Sequence, residues 1–187
     1  MTTNFQLRVA TDEDIPAIQD LIAVSVRGLS PGHYNVAQVE TAIAHVFGVD
    51  TQLIRDRTYY VVESVREGER ALAAAGGWSS RKTLFGGDHM KTTADELLDP
   101  SAEPARIRAF FVHPDMTRRG LARMVFGECE LAAQAGGFRE FVLIATLPGR
   151  LLYHALGFCD VEAFELPMPG GVTLPLVRMS RPIAAKF

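Results

Sequence analysis

Two apolar runs, residues 58–62 and 71–78, are joined by Arg66-Glu67-Gly68-Glu69, and this short polar connection restricts the fold more than any other stretch of the chain. A turn of this length sends the chain back antiparallel to itself, because a parallel crossover needs a dozen residues or more. The two runs are therefore predicted to be adjacent antiparallel strands. A doubly wound nucleotide-binding sheet is disfavoured on the same ground, and neither G-x-G-x-x-G nor G-x-x-x-x-G-K-[ST] occurs.

Around this hairpin the periodicity alternates between strand and helix. Phe5, Leu7 and Val9 alternate with polar residues, and Thr11-Asp12-Glu13-Asp14 resembles a capping box with acids in the first helical turn. Ile15, Ile18, Ile22 and Val26 then recur at helical spacing until Gly28, Ser30, Pro31 and Gly32 stop the helix near Arg27. A second helix is predicted over 35–47, with Val39, Ile43 and Val46 on one face, and a short third one in the run to Arg57. Further along come a strand at 106–112, a helix marked by Leu121, Val125, Cys129 and Ala132 that stops at Gly136-Gly137, and a strand at 141–144. A short helix at 151–156 and strands at 161–166 and 174–179 complete the chain; Pro175 weakens the last strand or puts it on an edge. Residues 80–104 are a polar, poorly periodic insertion, either functional or disordered. The sum is an α/β (α+β) fold, a mixed and mostly antiparallel sheet of about six or seven strands flanked by about four helices, in one domain over residues 1–187.

With 187 residues the chain can bury a sizeable core without disulfides or a structural metal. The net charge is −3 and the basic residues are scattered, so no stripe offers the counterion release that nucleic-acid binding needs, and no nucleic-acid partner is expected. Cys129 and Cys159 stand in no C-x-x-C or Cys/His pattern; both are expected to be small buried hydrophobes in a reducing compartment, with no disulfide and no metal. Residues 1–14 turn polar and acidic too soon for a signal peptide, and no apolar run approaches the roughly 20 residues of a membrane span. A cytoplasmic protein without membrane partners is expected.

The strongest chemical signal lies at 110–123, FFVHPDMTRRGLAR, where a strand breaks, a basic loop follows and a helix starts at Gly120. Free N–H groups at a helix N-terminus bind phosphate, and a glycine lets the backbone approach without a Cβ in the way. Arg118 and Arg119 add charge to that cradle. Taken alone, such a loop is as well explained by a strand-to-helix turn with solvated arginines.

Strand, proline, basic loop, Gly-x-Ala, amphipathic helix, strand, and then Tyr153-His154-Ala155-Leu156-Gly157-Phe158 together resemble the signature of the GNAT superfamily of N-acetyltransferases, over residues 105–158. That family's loop pattern, Q/R-x-x-G-x-G/A, aligns on Thr117, Arg118, Arg119, Gly120, Leu121 and Ala122, with Thr117 departing from the usual Gln or Arg. The resemblance implies acetyl-coenzyme A as co-substrate, held by Arg118, Arg119, Gly120, Leu121, Ala122 and Arg123 at its pyrophosphate. It also implies that the strand ending Phe110-Phe111-Val112 splays from the next one, so that the pantetheine arm hydrogen-bonds to exposed strand backbone. Tyr153 matches the family tyrosine that protonates the leaving thiolate, a catalytic role to be weighed against that of a core tyrosine with a satisfied hydroxyl. Thr146 stands where many members carry asparagine, and Gly149 where alanine is common.

By the same resemblance the acceptor is an amine that attacks the thioester directly. The strand at 106–112 carries no carboxylate to serve as base but offers Arg106 and Arg108, leaving Glu63, Asp88, His89 or a water chain. Tyr34, Trp78 and His89 fall in regions that border the acceptor side of this fold, and an aromatic-lined pocket favours a small-molecule or amino-acid-like amine. The competing expectation is a catalytically idle member of the fold, an acyl-coenzyme A sensor or interaction module. An exposed edge strand near the C-terminus would allow a homodimer.

Overall fold

The computed structural model describes residues 4–66, 68–92 and 94–184. Strand β1 (Asn4–Val9) leads through a 3-10 turn into helix α1 (Ile15–Leu29), followed by α2 (Val36–His45) and α3 (Thr51–Arg55). Next come β2 (Tyr59–Arg66), β3 (Glu69–Ser79), β4 (Ala105–Val112), α4 (Leu121–Ala135) and β5 (Glu140–Thr146). Helix α5 (Leu147–Ala155) and strands β6 (Cys159–Pro167) and β7 (Thr173–Pro182) finish the domain. The seven strands form one sheet in the order β1-β2-β3-β4-β5-β7-β6, antiparallel throughout except where β4 meets β5. Among the described residues there are five α-helices, including the short one expected before Arg57, which is capped by the Asp50 carboxylate on the Gln52 amide.

Helices cover both faces of the sheet, and β2 shows why. Tyr59 and Val61 join Ile18, Ile22 and Val26 of α1 in one core, while Tyr60 and Val62 join Leu121, Val125, Phe126 and Cys129 of α4 in the other. A strand buried on both faces reads as a continuous apolar run, and the period of two sends alternate side chains to opposite layers. On the α4 side Phe126 packs on Phe141 and Phe158, with ring centroids 5.7 Å from each. At the start of α1, Asp14 accepts from the Thr11 amide at 2.8 Å, and Arg8 holds both of its oxygens at 2.7 Å. The β2–β3 hairpin closes on the pair Arg66 and Glu69; Glu67 of its turn lies outside the described residues.

Two expectations are corrected. Strand β7 is interior and β6 is the edge, so Pro175 sits inside the sheet. It is tolerated because β5 first pairs at the next residue, Leu176 with Thr146; the side toward which an N–H would point has no strand, and the Pro175 carbonyl there accepts from the Tyr34 hydroxyl at 2.6 Å. Cys129 is fully buried and Cys159 is exposed on β6; both are free thiols. The insertion folds back on itself and on the core: Leu98 donates to Ser80 at 2.8 Å, Lys82 to Glu96 at 3.0 Å and Gly87 to Val46 at 3.2 Å, all through backbone amides. Arg81 adds ion pairs to Asp56 and a bond to the Asp95 carbonyl.

Candidate active site

Strands β4 and β5 run parallel but pair only at Ala105 with Phe141 and Arg106 with Val142. Beyond those residues they diverge, and the divergence has a local cause. Opposite β3, two residues of β4, Ala109 and Phe110, face the single residue Gly76, a bulge that bends β4. Ala109 adopts φ 53°, in the left-handed region, and its carbonyl accepts from the Tyr59 hydroxyl at 2.8 Å. Gly76 is required here: a Cβ on it would stand 2.6 Å from the Phe110 ring. A glycine within a strand often marks such a bulge or a close approach, so Gly76-Gly77 was a signal for this feature that the sequence reading passed over.

At the end of β4 the chain turns through His113-Pro114-Asp115 and reaches α4. Arg118 at φ 63° and Gly120 at φ 79° both sit in the left-handed region, which for arginine costs about 1–2 kcal/mol. The first helical bond of α4 runs from the Met124 amide to the Gly120 carbonyl at 2.9 Å, so the amides just before it belong to the set that a helix leaves without intrahelical partners. Nothing lies within 4 Å of where a Gly120 Cβ would be, and the approach to these amides is open. Left-handed turns and a helix N-terminus together form an anion-binding concavity.

The diverging strands and the start of α4 open onto a cavity of about 700 Å³. Phe110, Phe111, Val112, Arg118, Gly120, Leu121, Ala122 and Arg123 line it; Arg119 is exposed and does not. The Arg123 guanidinium donates to the Ala155 carbonyl at 3.1 Å, joining the start of α4 to the end of α5. Thr117 also lines the cavity with its hydroxyl turned back to the Pro114 carbonyl at 3.1 Å. Thr146 accepts from the Gly149 amide at 3.2 Å as the N-cap of α5, which accounts for a threonine at that position.

Tyr153 lines the cavity from α5, its ring edge-on to Phe110 at 6.3 Å and to Phe158 at 5.8 Å. Among the described residues no hydrogen-bond partner is recorded for its hydroxyl, and the oxygen is not among the buried unpaired atoms. Burial pushes its phenol well above the ordinary value, so it stays protonated near neutral pH and has a proton to donate. This placement differs from that of a core tyrosine with a satisfied hydroxyl.

The three acceptor-side candidates lie outside the cavity lining. Trp78 is a core residue of the α4 layer, edge-on to Phe138 at 5.9 Å, because alternation along β3 turns it away from the cavity face. Tyr34 is a strut: it donates to Pro175 and accepts from the Leu147 amide at 2.8 Å, and burial pushes its phenol up to about 12. His89 is exposed and rests against Gly48, whose Cβ would meet its ring at 2.8 Å. None of the carboxylate or imidazole base candidates reaches the cavity either. Glu63 is paired with Arg8 and Arg70 on β2, and Asp88 accepts from the Thr51 amide on the surface.

Three further residues lie at or behind the cavity, of which His33 and Asp50 were passed over in the sequence. His33, in the α1–α2 loop, is exposed at its rim. Arg108 is 2 % exposed, and its guanidinium donates to Asp50, to the Thr83 carbonyl and to the Gly86 carbonyl, each at 2.8 Å. Asp50 in turn takes Lys91 on its other oxygen. This buried pair fixes the insertion so that Leu84, Phe85 and Gly86 form part of the cavity wall. Among the described residues no group of three or more His, Cys, Asp or Glu is placed to hold a metal ion, and no helix is long and apolar enough to cross a membrane.

No protein-family model matches the chain, and no curated protein matches it in sequence. Solved structures do match along its whole length. A GCN5-related N-acetyltransferase from Rhodopseudomonas palustris superposes with a TM-score of 0.67 at 16% identity, covering 97% of this chain and 98% of the other. The PaiA N-acetyltransferase from Thermoplasma acidophilum, in complex with coenzyme A, gives 0.60 at 12% identity over 96% and 99% of the two chains. The yncA protein of Salmonella typhimurium, with its cofactor acetyl-CoA, gives 0.58 at 16% identity over 98% and 96%. The fold is that of the GNAT N-acetyltransferases.

Proposed function

We propose that this protein is an N-acetyltransferase that moves the acetyl group of acetyl-coenzyme A directly to the primary amine of a small-molecule acceptor. The observation that carries this reading is the parting of β4 and β5 over a cavity that has the open N-terminus of α4 at one end and the Tyr153 hydroxyl on its wall. The residues fit the coenzyme: the α4 amides and Arg118 suit its phosphates, and the backbone of 110–112, which has no strand beside it on the β5 side and whose Val112 amide there donates to the Ser25 hydroxyl at 3.2 Å, suits an extended amide-bearing arm. The thioester supplies the activated acetyl group. A backbone amide of β4 stabilises the negative charge that develops on the carbonyl oxygen, and Tyr153 donates its proton to the departing sulfur. The nitrogen forms the new C–N bond as the C–S bond breaks, and the proton lost from nitrogen replaces the one Tyr153 gave.

Calorimetric titration with acetyl-coenzyme A, coenzyme A and ADP tests the site without knowledge of the acceptor. Micromolar binding of both coenzyme forms is the expected result; no binding would remove the transferase reading. A second reading, a non-catalytic acyl-coenzyme A sensor, is favoured by one fact: among the described residues no carboxylate lines the cavity to deprotonate an amine. Thiol release on adding amines to the acetyl-coenzyme A complex decides between the two.

A further inference from the structure

The cavity wall divides into two parts. One carries the start of α4, α5 and the Phe110 ring of β4; the other carries Phe47, Leu84, Phe85, Arg108, Leu176 and the Phe111 ring, which packs on the α1 side. If the first holds coenzyme, as proposed above, the second is where an acceptor sits. Phe47 and Phe111 meet edge to face there at 6.1 Å, with Phe85 packed in the adjoining cluster around Val46 and Leu176. Among the described residues the ionisable groups on the lining are His33 at the rim, Arg108, Arg118, Arg123 and Tyr153. Behind Arg108 stand Asp50 and Lys91, and neither oxygen of Asp50 is spare: Oδ2 is bonded to Arg108 at 2.8 Å, while Oδ1 takes Lys91 and the Gln52 amide. An alkylammonium ion entering this space would meet guanidinium and aromatic edges and no carboxylate, so its charge would be desolvated without an ionic partner.

On these grounds we propose that the acceptor is a weakly basic aromatic amine, one whose nitrogen is already neutral at working pH. Such a nucleophile needs no base before attack, which accounts for a wall without carboxylates, and its ring matches the faces and edges of Phe47, Phe85 and Phe111. Once the nitrogen is acylated it becomes strongly acidic, and its proton passes by way of Tyr153 or water to the sulfur; amine and thioester give amide and thiol, with nothing else consumed.

The isomers 4-ethylaniline and 2-phenylethylamine have the same size but differ in basicity; near pH 7 about one molecule in a thousand of the alkylamine is neutral. With saturating acetyl-coenzyme A, thiol release should show kcat/KM at least about tenfold higher for 4-ethylaniline, and nearly constant between about pH 6 and pH 8, where a histidine base would bend the profile. Phe85→Ala should raise KM for 4-ethylaniline about fivefold while the Kd for coenzyme A holds. Faster release with 2-phenylethylamine keeps the transferase reading and overturns this one, as does a 4-ethylaniline rate that bends near neutral pH and is abolished in His33→Gln. Release with neither amine overturns the aromatic-amine reading, while the transferase reading stands or falls with the coenzyme titration.

Discussion

Gly76→Ala is the substitution that separates the site from the scaffold. The added Cβ would lie 2.6 Å from Cδ2 and 2.8 Å from Cε2 of Phe110. Carbon atoms rest at about 3.5–4.0 Å, so the ring must retreat by about 1 Å. Its neighbour is Tyr153, at 6.3 Å between centroids, so the displacement passes straight to the cavity wall. Overpacking of this kind costs about 1–3 kcal/mol, and in a domain of this size each kcal/mol lowers Tm by roughly 2–4 °C. Thermal unfolding should therefore show a loss of about 2–12 °C, and calorimetry a weaker coenzyme A affinity. Gly77→Ala is the contrast: its Cβ would meet the Thr58 carbonyl oxygen at 2.4 Å, main chain that has nowhere to go, and the loss of Tm should be larger. Adding Phe110→Leu to Gly76→Ala should recover part of the lost stability, because the two residues share one space. Were Gly76→Ala to leave both Tm and coenzyme affinity unchanged, the bulge would have no part in shaping the cavity.

Other perturbations test other parts of the molecule. Tyr153→Phe should slow thiol release while the Kd for acetyl-coenzyme A persists; equal rates would remove the phenol from the chemistry. Asp50→Ala leaves the Arg108 guanidinium buried without its partner and should cost about 3–5 kcal/mol in chemical denaturation, with the double change Asp50→Ala/Arg108→Met milder than the single one. The hydrogen bonds from Arg8, foremost, hold the Asp14 carboxyl below its ordinary 3.8, so its contribution to stability is complete above that value and is lost as pH falls through the lower folded one. The gap in urea midpoint between the parent and Asp14→Asn should accordingly shrink between about pH 5 and pH 2, and a gap that stays constant would refute the assignment.

Most of the element order could be read from periodicity, since helices and strands here carry strong 3.6- and 2-residue patterns, and the turn at 66–69 set the antiparallel character. What escaped was set by long-range geometry. Pro175 looked like an edge residue because a missing N–H says nothing about where the neighbouring strand begins. Trp78 was placed near the acceptor from its strand alone, whereas alternation along β3 turns it into the α4 layer. Cys159 could not be told from Cys129 by spacing; one falls inside a helix face and the other on the last strand of the sheet. The α4 cradle was legible because its chemistry is local, a glycine and arginines at a helix start. The acceptor wall was not, because Phe47, Phe85, Arg108 and Phe111 come from four separate parts of the chain.

The pairing of β4 with β5 through two residue pairs leaves the first four strands and the last three joined by a narrow pivot. Tyr34, on the loop between α1 and α2, reaches across to Pro175 and Leu147 on the far side. One oxygen atom thus joins two lobes that the sheet itself scarcely connects, and beside it the Gln38 side-chain amide donates to the Thr173 carbonyl at 2.8 Å. Swinging the lobes apart requires these bonds to break together and Ala42 and Val46 to part from Leu174 and Leu176, and that clasp limits how often and how far the cleft gapes.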